Sequence, residues 1–168
     1  MIPQIKKILY ATDLSKNSVY AFFYAVDMAK RYDATIVILH TVEPIPHVYS
    51  EGGTGILRRI ETQQRETDLG DIKKRVQEFC AKVENQVGFA CTALVSKILV
   101  PLGYPVEEIL KAADDEGCNA IILGTHGKGF LRQTFLGSVS VSVLQRTRKP
   151  VFIIPLPSEK TKIDWDKI

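Results

Sequence analysis

Glycine and hydroxyl residues are concentrated in one stretch of the chain, Ala120–Ser140, which reads AIILGTHGKGFLRQTFLGSVS. Its apolar start is typical of a short buried strand, and Gly124 ends that run. Gly124, Gly127 and Gly137 let the backbone pass close to a ligand, so that successive N–H groups can point at one anion. If Ser138 caps a helix, the N–H groups of its first turn add to that site. The stretch predicts phosphate binding without a covalent step.

The glycine spacing differs from the common nucleotide motifs. A Walker A loop reads GxxxxGK[ST], whereas Gly124 and Gly127 are too close together and Lys128 is followed by Gly129. The dinucleotide pattern GxGxxG is missing after the first predicted strand, where the chain reads ATDLS. The GxSxG pattern of a nucleophile elbow is also missing. What the chain carries is the spacing G-x2-G-x9-G-S.

Length and composition restrict the class of protein. The chain has 168 residues, of which 45% are hydrophobic and 24% charged, and this predicts a single globular domain. A net charge of +3 is too small to indicate nucleic-acid binding. No apolar run approaches the roughly 20 residues of a membrane span, and the first residues lack the apolar region of a signal peptide. We therefore expect neither nucleic acid nor membrane as a partner.

Three cysteines are present, Cys80, Cys91 and Cys118. Their number is odd, they are widely spaced, and none lies in a CxxC pair or near a histidine, so we expect neither a zinc site nor a disulfide framework. Cys118 is expected to be a small buried apolar residue. A reducing compartment suits this pattern, and the sequence therefore predicts a cytoplasmic protein.

Apolar periodicity predicts alternating strands and helices. The predicted strands are 6–11, 34–42, 91–100, 120–123 and 151–154. The predicted helices are 15–32, 71–88, 105–117 and 138–147. This alternation is typical of an α/β fold with a five-stranded parallel sheet and helices on both faces. With strand order 3-2-1-4-5, the polar ends of the first and fourth strands meet at one crevice, where ligands bind in such sheets.

Three features fit more than one structure. The polar residues 47–69 are compatible with an exposed helix or a mobile loop. The segment SVSVSV from Ser138 alternates like a strand, but as a helix it places Val139 and Val143 on one side and ends in a basic turn. The alternation of the preceding units favours the helix. Asp13 is both a candidate ligand-binding carboxylate and a candidate N-cap of the first helix.

These motifs resemble the nucleotide-binding branch of the universal stress protein family. That family carries G-x2-G-x9-G-[S/T], the spacing found in this chain. The resemblance extends to ATD from Ala11, HTV from His40, GSVS from Gly137 and KPV from Lys149, and it covers roughly residues 6–155. It implies a single-domain Rossmann-like (adenine nucleotide alpha hydrolase-like) fold.

The resemblance also implies a binding site for ATP, with Mg²⁺ or Mn²⁺ held through the phosphates. Asp13 and the Val42 backbone would lie at the adenine and ribose end, and Leu123 with Gly124 on the ribose side. Glycines, hydroxyls and backbone amides from Gly127 onwards would hold the phosphates. The implied nucleotide contacts are Ala11, Thr12, Asp13, Val42, Leu123, Gly124, His126, Gly127, Lys128, Gly137, Ser138, Val139 and Ser140. Neither a catalytic residue nor a protein ligand for the metal is implied.

The implied function is that of an ATP-binding regulatory module, with the domain at residues 1–155 and a C-terminal tail at 156–168. The family commonly forms homodimers through the last strand, here Val151–Ile154. Two alternatives stay open: an enzyme that slowly hydrolyses ATP or transfers a nucleotidyl group, and a structural dimer that binds no nucleotide. No acid–base pair, nucleophile or SGGxDS-type pyrophosphatase loop supports the enzyme. Gly129 is an extra glycine relative to the family pattern.

Substitution of Gly127 by valine tests the glycine motif directly. We expect Gly127→Val to abolish nucleotide binding and leave the fold intact, because a branched side chain fills the space through which a phosphate approaches the backbone. Calorimetric titration with Mg-ATP, together with a circular dichroism spectrum, measures both properties. An unchanged affinity would show that the phosphate site lies elsewhere.

Overall fold

A five-stranded parallel sheet forms the centre of the computed structural model, which describes residues 2–46, 54–87, 90–125 and 136–155. The strands are β1 (Lys7–Ala11), β2 (Thr35–Leu39), β3 (Val95–Leu99), β4 (Ala120–Gly124) and β5 (Val151–Ile154). Their order is β3-β2-β1-β4-β5, so the predicted order 3-2-1-4-5 is confirmed. β1 therefore lies in the middle, paired with β2 on one side and β4 on the other.

Helices cover both faces of the sheet, as predicted. They are α1 (Lys16–Tyr32), α2 (Thr54–Val87), α3 (Pro105–Asp115) and α4 (Ser138–Arg146). Ile8 and Tyr10 of β1 pack with α1 and α2, whereas Leu9 and Ala11 pack with α3 and α4. Because successive strand residues point to opposite faces, β1 contributes to both halves of the core. This explains why its sequence is almost continuously apolar.

Local signals fix several helix ends. α1 begins after the N-cap Ser15, whose side chain accepts a hydrogen bond from the Ser18 N–H. α3 opens on Pro105 and is followed by Gly117 at φ +64°, a left-handed conformation that favours glycine. The segment from Ser138 is helical, which settles that ambiguity. Its N-cap is Gly137 with no side-chain cap, so the expected capping role of Ser138 is wrong.

α2 is longer than the apolar periodicity predicted, since it begins at Thr54 instead of residue 71. Residues 54–69 are thus the exposed helix of the two alternatives, and 47–53 lie outside the described residues. Polar contacts stabilise this half: Glu61 Oε1 accepts a hydrogen bond from the Ile45 N–H at 3.0 Å, and Arg65 Nε donates to the Val100 carbonyl at 2.7 Å. A periodicity search misses such a helix because it responds to an apolar face.

Two strand boundaries also differ from the prediction. The third strand begins at Val95, after a turn of 3-10 helix at Cys91–Leu94, because its partner β2 pairs with it only from Ile36 onwards. The second strand ends at Leu39. Val42, which we expected to close it, forms an isolated bridge with Leu102. None of the described helices is long and apolar enough to cross a bilayer.

A disulfide joins Cys80 of α2 to Cys91 in the turn before β3, so the expectation that the cysteines form no disulfide framework is wrong. The two Cα atoms are 5.3 Å apart although the residues are separated by 11 positions. Cysteine spacing alone could not reveal this, because helix α2 and the return of the chain to the sheet create the proximity. Cys118 is free and buried, as predicted, and burial raises the pKa of its thiol to about 11.

Reduction of this disulfide should lower the free energy of unfolding by about 3 kcal/mol, the chain-entropy value for a loop of roughly this length. Urea unfolding with and without dithiothreitol measures the change. The variant Cys80→Ala/Cys91→Ala should not respond to dithiothreitol, whereas Cys118→Ala should respond like the wild type. Three titratable thiols in the unreduced, denatured protein would contradict the bond.

Candidate functional site

A cleft of about 420 Å³ opens at the carboxyl ends of β1 and β4. Its volume lies in the range of small-molecule sites, and its position is the point where strand order reverses. The lining comes from the turn after β1, the segment after β2, the start of α3, and the junction of β4 with α4. The lining residues are Ala11, Thr12, Asp13, Ser18, Leu39, His40, Thr41, Glu43, Pro105, Ile109, Leu123, Gly124, Gly137, Ser138, Val139 and Ser140.

The cleft brings together most of the predicted site residues that the structure describes. Those that line it are Ala11, Thr12, Asp13, Leu123, Gly124, Gly137, Ser138, Val139 and Ser140. Val42 is not among the lining residues: its N–H donates to the Pro101 carbonyl and its carbonyl accepts from the Gly103 N–H, both at 2.9 Å. His126, Gly127 and Lys128 lie outside the described residues.

Sequence reasoning missed part of the lining. The missed residues are Ser18, Leu39, His40, Thr41, Glu43, Pro105 and Ile109. A usable signal existed for Thr41 and Glu43, because polar residues that follow β2 must reach the same sheet edge as those that follow β1. Ile109 gave no such signal, since its apolar spacing in α3 indicates core packing alone.

Asp13 uses one carboxylate oxygen to support the start of α1. Its Oδ1 accepts hydrogen bonds from the Ser15 N–H at 3.0 Å and the Ser15 hydroxyl at 2.5 Å. Ser15 is the N-cap, so Asp13 positions the capping residue and is not itself the cap. The other oxygen, Oδ2, is buried and has no hydrogen-bond partner in the described part of the chain. An unsatisfied buried carboxylate oxygen is costly, and a ligand hydroxyl or amino group would satisfy it.

The turn that carries Asp13 is strained and well anchored. Leu14 has φ +64°, which is unfavourable for a residue with a side chain. Its N–H donates to Thr12 Oγ1 at 3.0 Å, and Thr12 Oγ1 lies 2.7 Å from the Ser18 hydroxyl. The Thr12 N–H in turn donates to the Leu39 carbonyl at 2.9 Å. These bonds hold the Asp13 carboxylate in one position at the cleft.

The opposite wall of the cleft is the start of α4. The first intrahelical bond runs from the Val141 N–H to the Gly137 carbonyl, so the amides of Ser138, Val139 and Ser140 have no acceptor within the helix. The Ser140 hydroxyl donates to the Gly124 carbonyl at 2.9 Å and thereby fixes the helix to the end of β4. Free amides and a helix dipole make this wall suitable for an anion.

His40 forms a buried polar network beside the turn. Its Nδ1 lies 2.9 Å from the Thr12 carbonyl oxygen and its Nε2 3.1 Å from Asp68 Oδ2, while Gln64 donates to Asp68 Oδ1 at 2.8 Å. A carbonyl only accepts, so Nδ1 is the donor, and the His40–Asp68 contact needs a further proton on one of its two atoms. Neither ring nitrogen is free to act as a general base. His40 is therefore a satisfied polar residue of the crevice.

Metal-binding clusters of His, Cys, Asp or Glu side chains are not found among residues 2–46, 54–87, 90–125 and 136–155.

Comparison with known proteins gives consistent matches. A sequence model described as "Universal stress protein family" matches residues 4–155. Universal stress protein MJ0577 of Methanocaldococcus jannaschii is 31% identical over 157 residues, which cover 89% of this chain and 94% of that protein. The structure of universal stress protein UspA from Lactobacillus plantarum aligns with a TM-score of 0.73 at 19% identity, over 91% of this chain and 99% of the other. A universal stress protein in complex with cAMP aligns with a TM-score of 0.53 at 20% identity, over 91% and 98%.

Removal of the His40 ring should destabilise the protein strongly. In His40→Leu the Asp68 carboxylate stays buried with Gln64 as its described partner, and we expect a loss of about 3–5 kcal/mol in the free energy of unfolding. Urea unfolding measures it. Asp68→Asn, which keeps an acceptor for Nε2, should lose less. Lys74→Gln, which breaks an exposed ion pair on the same helix, is the control. If His40→Leu and Lys74→Gln lowered the free energy of unfolding equally, the His40–Asp68 contact would not behave as a buried pair.

Proposed function

Since the chain belongs to the universal stress protein family, we propose that it is an ATP-binding regulatory module with the nucleotide between the ends of β1 and β4. One observation carries this proposal. The cleft places an unpartnered carboxylate oxygen, Asp13 Oδ2, opposite the amide-rich start of α4. A nucleoside phosphate has the matching chemistry, because its sugar and base offer hydroxyl and amino donors and its phosphates are acceptors.

The nucleotide would bind with its adenosine towards β1 and its phosphates towards α4. Asp13 would accept from the ribose or the base, and Leu123 and Gly124 would line the ribose side. The amides of Ser138, Val139 and Ser140 would hold phosphate oxygens. The spacing of the glycine motif indicates that the stretch from His126 to Lys128 would supply the remaining phosphate contacts. Mg²⁺ or Mn²⁺ would bind through the phosphates and reduce their charge.

The proposed output is regulatory, not catalytic. His40 has both ring nitrogens bonded and is therefore not available for proton transfer, and the free oxygen of Asp13 is assigned here to binding the nucleotide. A bound nucleotide instead changes the population of conformations that a partner recognises. The proposal includes a homodimer through β5, which is an edge strand of the sheet as far as the structure describes the chain, and edge strands can pair with a second copy.

A cytoplasmic location is also part of the proposal. We infer this location from the family resemblance. The cysteines do not support it, because a disulfide such as Cys80–Cys91 is more common in oxidising compartments. Intracellular proteins of hyperthermophiles are the known exception.

The variant Asp13→Asn tests the proposed site. It keeps an Oδ1 acceptor for Ser15 but replaces the unpartnered oxygen with a donor, so Mg-ATP affinity should fall by about tenfold or more while stability changes little. Asp27→Asn removes a carboxylate on the exposed side of α1 and should bind like the wild type. Calorimetric titration measures both, after nucleotide carried through purification has been released by heat and identified.

The titration also identifies the nucleotide class. Mg-ATP, Mg-ADP and Mg-GTP are compared, and cAMP is included because one structural neighbour was solved with it. Absence of both released nucleotide and heat of binding would overturn the proposal and leave the structural dimer. Equal affinities of Asp13→Asn and the wild type would show that Asp13 serves the turn alone.

A further inference from the structure

A second cavity, of about 240 Å³, lies on the face of the sheet that α1 and α2 cover. Tyr10 and Ile38 come from the sheet, Phe22 from α1, and Ile72 and Phe79 from α2, and all five side chains are buried. An apolar cavity of roughly 150 Å³ already holds benzene in a well-studied case. This cavity therefore has room for one ring with a short substituent.

The interior of this cavity is uncharged and its polar groups are occupied. The Tyr10 hydroxyl donates to the Ser18 carbonyl at 2.6 Å, and burial raises the pKa of Tyr10, so the phenol stays neutral. The Thr12 hydroxyl lies within hydrogen-bond distance of the Ser18 hydroxyl and the Leu14 N–H. The interior can therefore take only the apolar part of a ligand.

Arg75, which is positively charged and exposed, lies at the rim of the cavity. Its guanidinium donates to the Leu14 carbonyl at 3.1 Å, and the other N–H groups of its five can hold a carboxylate. Glu78 also lines the rim, but its carboxylate is exposed and lies 3.9 Å from Lys74 Nζ, so water and a lysine already compensate its charge. The rim thus favours an anionic group beside an apolar body.

We propose that this cavity, called here the α1–α2 cavity, is a second ligand site that binds a small single-ring carboxylic acid. The ring would lie between Phe22, Ile72 and Phe79, and the carboxylate would bind Arg75. This site is separate from the cleft, although Thr12 lines both.

Nuclear magnetic resonance of methyl-labelled, nucleotide-free protein tests the site with phenylacetate and its neutral analogue phenylacetamide. Phenylacetate should shift the methyl signals of Leu14, Ile38 and Ile72 and bind about tenfold more tightly than the amide, because only the acid pairs with Arg75. Arg75→Gln should remove this difference. Lys73→Gln, an exposed lysine of the same helix that does not line the cavity, should keep it.

A second variant distinguishes binding inside the cavity from attraction to the surface charge of Arg75. Val76 is half-buried in the wall, and Val76→Phe should fill the cavity and abolish binding of both compounds while the protein stays folded. The proposal is overturned if phenylacetate shifts none of these methyl signals up to its solubility limit. It is also overturned if acid and amide bind equally, or if Arg75→Gln and Lys73→Gln bind the acid alike.

The cavity also has a mechanical connection to the cleft, and this part rests on the proposed function. The Leu14 side chain lines the cavity, its carbonyl binds Arg75, and the preceding residue, Asp13, lines the cleft. A ligand that packs on Leu14 should hold the strained turn in place and raise Mg-ATP affinity several-fold. An unchanged ATP affinity with phenylacetate bound would refute the coupling alone. Failure of ATP to bind at all would refute the proposed function and the coupling, and leave the cavity result unaffected.

Discussion

The parallel pairing of β1 with β4 brings the two chemically different walls of the cleft together. Ile8, Leu9 and Tyr10 pair with Ala120, Ile121 and Ile122, so residues far apart in the chain end their strands at the same sheet edge. The helices that follow these strands then diverge, because α1 packs on one face of the sheet and α4 on the other. The space between them is the cleft. The buried apolar side chains of both strands stabilise this register, and the polar residues of the cleft depend on it.

Polar contacts, rather than an apolar face, attach much of α2 to this framework. Glu61, Asp68 and Arg65 bond to groups in the segments that follow β2 and β3, and Arg75 bonds to the turn that follows β1. Two of these side chains, Glu61 and Asp68, are buried. Each buried carboxylate requires its partner, since an unpaired charge in the interior is strongly unfavourable. The helix and the loops of the cleft therefore hold each other in position, and the Cys80–Cys91 bond secures the far end of α2.

The turn at Thr12–Leu14 connects the cleft with the α1–α2 cavity. Thr12 lines both, Asp13 lines the cleft, and Leu14 lines the α1–α2 cavity. Leu14 keeps a left-handed conformation because its N–H and its carbonyl are both bonded, to Thr12 and Arg75. Strain of this kind persists only where surrounding contacts impose it, and it is concentrated at functional sites. A turn that is strained at Leu14 and shared by both cavities at Thr12 is suited to transmit the state of one cavity to the other.

The sequence by itself determined the element order and most of the cleft, because apolar periodicity and the polar residues at strand ends are local properties of the chain. The sheet order was predicted from the usual topology of such folds, and the structure confirms it. The sequence predicted Asp13 and the residues from Gly137 to Ser140, which the structure places at one cleft. Only the tertiary structure decided which oxygen of Asp13 is unpartnered, that His40 binds Asp68, and that Cys80 bonds to Cys91. The last two are contacts that helix α2 makes with other segments, and the first depends on how the turn after β1 is folded. The polar half of α2 has no apolar period, so its position depends on partners that a sequence pattern does not show.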